Sequence, residues 1–94
     1  MVPDISQITG LGEFTAKKEK SRTLYLKADK VFLVINANTI ELRSDPKLAR
    51  LLTSKYESVM QSRYFGRGGI EIVLAGQLDS GELADLIRLS YNLT

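Results

Sequence analysis

Six basic residues, Lys17, Lys18, Lys20, Arg22, Lys27 and Lys30, fall within fourteen positions and are offset only by Glu19 and Asp29, so that stretch carries +4. The last twenty-four residues run the other way, with Glu71, Asp79, Glu82 and Asp85 against Arg88, a sum of −3. An anionic polymer would use such an asymmetry, because phosphate neutralisation with counterion release dominates non-specific nucleic-acid affinity. Lysines on an edge strand serve a second purpose, blocking sheet-to-sheet pairing and keeping a small chain in solution. The other notable stretch is Arg63-Tyr64-Phe65-Gly66-Arg67-Gly68-Gly69. Arginine and tyrosine together stack on bases or grip phosphate, and glycines let a backbone approach closely. The same aromatics also suit a cap on the core, with the glycines shaping a loop into the next strand.

Other chemistry is excluded by composition. There is no cysteine and no histidine among the 94 residues, which removes disulfides, thiolate metal sites, histidine triads and most zinc centres. Gly10 and Gly12 begin a dinucleotide-like pattern, but Thr15 stands where a third glycine is needed. Asp79 and Glu82, three apart, fit a helix capping box, and no second acid is evident as a catalytic partner. Ser90 has no visible base to activate it. The expectation is a non-enzymatic domain without cofactor or metal. No apolar run approaches a membrane span, the longest being Val31 to Ile35, and Met1-Val2-Pro3-Asp4 lacks the pattern of a secretory signal. A cytoplasmic, non-membrane protein is expected.

These side chains must be placed by a single domain, 1–94. Ile5 and Ile8 allow one or two helical turns before Gly10. Phe14 and Ala16 alternate weakly with Thr15 and Lys17. Arg22 to Lys27 alternates cleanly, which predicts Leu24 and Leu26 inward and Tyr25 outward. Val31 to Ile35 reads as a central strand covered on both faces. Ala28-Asp29-Lys30 and Asn36-Ala37-Asn38 read as turns, the asparagines being tolerant of left-handed angles. Thr39 to Arg43 completes a meander. Asp45-Pro46 opens a helix with Leu48, Leu51, Leu52 and Tyr56 on its apolar stripe. A strand over Gly69 to Ala75 directs Ile70, Ile72 and Leu74 inward and Val73 outward, with Tyr25 beside it. A last helix from Ser80 buries Leu83, Leu86, Ile87 and Tyr91. Strands and helices segregate, which predicts an α+β fold: an antiparallel sheet of four to five strands with two helices on one face.

From about Lys30 to Thr94 the chain resembles the MmcQ/YjbR-like family of small bacterial proteins. The resemblance rests on Lys30-Val31-Phe32, on Glu41-Leu42-Arg43-Ser44-Asp45-Pro46 and on a helix end Lys55-Tyr56-Glu57-Ser58-Val59. It continues through the aromatic-basic loop to the closing Asp79–Leu93 segment with Ser90-Tyr91-Asn92-Leu93. The family loop usually carries lysine followed closely by tryptophan, whereas this chain reads Arg63-Tyr64-Phe65-Gly66-Arg67 and has no tryptophan. The resemblance implies an α+β double-wing fold, similar to that of secretion chaperones, and a DNA-binding role. Two functional expectations follow. One is a double-stranded DNA-binding module of low sequence specificity, using Lys17, Lys18, Lys20, Arg22, Arg63, Tyr64 and Arg67. The alternative is a protein-interaction or chaperone-like module acting through a sheet edge or apolar patch, as a single chain or as a dimer.

Overall fold

The computed structural model describes Ile5 and residues 8–94. Eight elements follow in order: β1 (Thr15–Lys18), β2 (Thr23–Lys27), β3 (Lys30–Ile35), β4 (Thr39–Arg43), α1 (Pro46–Lys55), β5 (Val59–Ser62), β6 (Gly66–Val73) and α2 (Ser80–Leu93). The expected α+β class holds. The sheet has six antiparallel strands in the order β1-β2-β3-β4-β6-β5, where the sequence pattern led us to expect four or five. The added strand is β5, four residues long and too short for periodicity to show. Strand β6 also starts at Gly66, three residues earlier than expected, so the glycine-rich stretch is itself ladder. Of the proposed amino-terminal turn, residues 1–4, 6 and 7 lie outside the described residues. Ile5 is buried in the core and Ile8 packs against it.

Both helices lie on one face. Helix α1 covers β5 and β6 while α2 covers β3 and β4, and the shared core holds Phe32, Leu33, Ile40, Leu42, Ile70, Ile72, Ile87 and Tyr91. The helix starts fall at Pro46 and Ser80 as the cap signals predict. Asp79 and Glu82 form the reciprocal capping box, whereas Asp45 occupies its cap position without a side-chain bond. Of the expected stripe of α1, Leu52 and Tyr56 pack against the core, whereas Leu51 is 61% exposed and Ala49 is buried in its stead. Ser90 acts as a structural bridge: its Oγ donates to the Phe32 carbonyl at 2.5 Å and accepts from the Arg43 amide at 2.8 Å.

The face away from the helices carries a second apolar cluster, and this reverses one expectation. Leu24, Val31 and Val34 are buried there, with Leu26 and Phe65 against them. Tyr25 therefore points to the main core, edge-on to Phe14 at 6.0 Å, and lies on the opposite face from Val73. Alternation along β2 was legible, but its direction was not, because apolar side chains are wanted on both sides of this strand. A second correction concerns turns. Left-handed angles occur at Ala28 (φ 49) and Asp29 (φ 69), which suits a two-residue hairpin, and not at Asn36 or Asn38.

Candidate binding surfaces

The centre of the helix-free face is acidic. Strand register sets Glu41 of β4 directly opposite Glu71 of β6, and each residue is 2% exposed. Such a pair is costly to bury unless every oxygen is bonded. Here each one is. Glu41 Oε1 accepts from Ser62 Oγ (2.8 Å) and from the Tyr64 amide (2.8 Å), and its Oε2 accepts from Asn36 Nδ2 (3.0 Å). Glu71 Oε1 accepts from Arg63 Nε (3.0 Å), while its Oε2 accepts from Arg63 Nη2 and Thr39 Oγ1, both at 2.8 Å. The forked bond from Arg63 is the main cause that holds the Glu71 carboxyl below its usual range, with Thr39 adding to it against the opposing effect of burial. Glu41 and Glu71 are thus paired across a ladder, a neighbourhood that the sequence reading, which looked for a second acid only as a catalytic partner, did not identify. Internal donors occupy all four oxygens, so the pair anchors the β5–β6 turn.

That turn, Arg63 to Phe65, opens the stretch Arg63 to Gly69 singled out from sequence, whose remainder begins β6. Phe65 packs on the second cluster beneath the Arg43 guanidinium (5.1 Å), and its amide donates to Ser62 Oγ. Tyr64 stays 40% exposed, edge-on to Phe65 at 4.9 Å. Gly66 adopts φ 64, and Gly69 is compelled by space: a Cβ there would lie 2.5 Å from Phe65 Cβ and 2.6 Å from the Leu42 carbonyl.

The seven basic and aromatic residues named from sequence divide among several surfaces. Arg22 reaches across from the β1–β2 turn to place its guanidinium 5.2 Å from the Tyr64 ring, so Arg22, Arg63 and Tyr64 do converge. With Asn36 and Glu41 they line a cleft of about 570 Å³. Arg22 is itself bonded to Glu19 at 2.7 Å, an interaction that lowers the Glu19 pKa and raises that of Arg22. Around this cleft Arg22 and Arg63 are outnumbered by Glu19, Glu41 and Glu71. Lys17 pairs with Leu24 and shares the helix-free face, whereas Lys18 pairs with Thr23 and falls on the other side. Lys20 sits in the exposed turn. Lys27 is drawn to the helix side, donating to the Tyr91 carbonyl at 3.1 Å. Arg67 belongs to a different place altogether.

That place is a groove of about 530 Å³ between α1 and the β5–β6 hairpin, lined by Pro46, Ala49, Arg50, Thr53, Gln61, Arg67 and Gly69. It opens beside β5, which pairs only with β6 and forms one edge of the sheet. The Val73 amide donates to the Ser58 carbonyl at 2.9 Å, and the alternation of an antiparallel ladder from that bond gives the inward-bonding role to Met60, opposite Glu71, so Val59 and Gln61 turn their backbone groups outward. The Val59 amide is taken by the Tyr56 carbonyl. The Val59 carbonyl and both backbone groups of Gln61 are left facing the edge. Sequence reasoning missed this surface because β5 itself was not recognised.

No family model matches the chain, and no curated protein matches it. Among solved structures, the chain is similar to a protein from Pseudomonas syringae determined as a Northeast Structural Genomics Consortium target. That likeness has 20% identity, a TM-score of 0.73 and coverage of 86% of each chain. At this identity it shows a shared fold. Among the described residues no helix is long and apolar enough to cross a membrane. The chain therefore has the α+β fold of that protein.

Proposed function

We propose that this chain is a non-enzymatic protein-interaction module of the cytoplasm that takes an extended segment of a partner as an added strand on β5. The observation that supports this most is the unequal protection of the two sheet edges. Strand β1 reads Thr15-Ala16-Lys17-Lys18, is exposed along its whole length and carries two lysines, with Lys20 just beyond. Charges of that kind guard an edge against pairing. Strand β5 reads Val59-Met60-Gln61-Ser62, with no charge and no proline, and Met60 is 42% exposed. An edge with open backbone groups beside a groove is the arrangement that strand addition uses. The test is an amide-resolved NMR titration with a short uncharged peptide of alternating valine and threonine. Shifts confined to residues 59–62 and the groove support the reading; shifts along β1, or none, overturn it.

A double-stranded DNA-binding module, the role implied by the MmcQ/YjbR resemblance, is the second reading. It is favoured by the contact of Arg22 with Tyr64, which joins the two basic stretches at one turn-lined surface, with Lys17 close enough to Glu19 to help lower its pKa. It ranks second because both arginines are already bonded to glutamates. A labelled-duplex titration decides it. Binding that weakens steeply with salt and is lost in the Lys17→Glu/Lys20→Glu variant supports DNA; absence of binding at low salt removes it.

A further inference from the structure

We propose that the segment received on β5 is acidic, its carboxylates directed into the helix-side groove and read by Arg50 and Arg67. The inference rests on strand addition at β5 and names the chemistry of the partner.

The arginines of this chain fall into two groups. Arg22, Arg63 and Arg88 are each bonded to a carboxylate, on Glu19, Glu71 and Asp85 respectively, and Arg43 donates to the Val31 carbonyl. Arg50 and Arg67 are the arginines whose guanidiniums have no acceptor, side-chain or backbone, among the described residues, and both line the groove beside β5. Among the described residues no acidic side chain lines that groove. Its remaining walls are small or neutral: Pro46, Ala49, Gly69, Thr53 and Gln61. An extended chain paired to β5 sends every second side chain to the helix side of the sheet. Those alternate positions meet the two guanidiniums, whose planar forks suit carboxylate oxygens. Side chains between them would meet the exposed Met60 on the other face, where an apolar residue fits.

Charge also selects among occupants. A second copy of this chain pairing β5 to β5 about a two-fold axis would bring Arg50 and Arg67 of both copies to one seam, which like-charge repulsion opposes. A free acidic segment brings the complementary sign.

The experiment uses the full chain and three short peptides of alternating valine with glutamate, glutamine or lysine. Binding is followed by amide shifts of residues 59–62. The glutamate peptide should bind about tenfold tighter than the glutamine peptide at low salt, as charge-assisted bonds require, with the gap closing as salt rises. The Arg50→Glu/Arg67→Glu variant should reverse the order and prefer the lysine peptide; both residues are exposed, and an unchanged circular dichroism spectrum verifies its fold. Equal binding of glutamate and glutamine peptides overturns the acidic partner while strand addition stands. Failure of all three peptides to shift β5 overturns both. Binding of a single-stranded oligonucleotide at this groove, lost in the same variant while the glutamate peptide does not bind, replaces the peptide with a nucleic acid.

Discussion

Glu41 and Glu71 face one another across the β4–β6 ladder, both almost fully buried, and the turn that follows β5 is bonded to each of them. A carboxylate pair of this kind stabilises only as a completed network, because a buried group that loses its partner bears the full desolvation cost. It therefore links the shape of one surface turn to the integrity of the sheet beneath.

Replacing Glu41 by leucine should destabilise the protein markedly. Ser62 Oγ and the Tyr64 amide lose their acceptor, Asn36 Nδ2 keeps only Thr39 Oγ1, and a buried donor left without an acceptor costs about 1–3 kcal/mol. Urea unfolding measures the loss, and amide exchange at Tyr64 and Phe65 should accelerate alongside it. A variant with wild-type stability and protection would show that the turn does not depend on this carboxylate.

Stability should fall on acidification through Glu71. Its folded pKa lies below the ordinary value of 4.5, mainly through the bond from Arg63, so the unfolded chain takes up the proton first. The contribution is complete above 4.5 and is lost as pH drops from there through the folded pKa. In Arg63→Met this part of the pH dependence should shrink, and the double variant Arg63→Met/Glu71→Gln should be less destabilised than the two single changes added together. Denaturant midpoints measured across the acid range provide the readout.

The two glycines of the hairpin should respond differently to alanine. Gly69→Ala drives a methyl into Phe65 and the Leu42 carbonyl, and overpacking of that kind costs about 1–3 kcal/mol. Gly66→Ala meets open space but keeps a left-handed φ, at a cost of about 1–2 kcal/mol. Loss of the Phe65 ring contacts, followed by NMR, should accompany the first substitution and not the second.

Ser90→Ala should loosen the joint between α2 and the sheet. The Arg43 amide then has no acceptor, which costs about 1–3 kcal/mol. Hydrogen exchange at Arg43 should rise selectively; uniform protection across β4 would mean that the bridge is dispensable.

Much of the architecture was readable along the chain, because its signals are local. Proline after Asp45 and the Asp79–Glu82 pair mark helix starts, and the short, β-branched and aromatic run from Val31 to Ile35 reads as a strand covered on both faces. What pairs with what was not readable. Glu41 and Glu71 are thirty residues apart, and only the register of β4 against β6 makes them neighbours. Arg63 and Arg67 look equivalent in sequence, yet the turn sends one to a buried carboxylate on one face and the other to the groove beneath α1. Tyr25 and Leu24 exchanged their expected sides because the sheet buries apolar side chains on both faces, a property of the assembled layers that no single strand encodes. Spacing within an element is set by covalent geometry and is written in the residues; the meeting of distant charges depends on strand order, which arises only when the whole sheet forms.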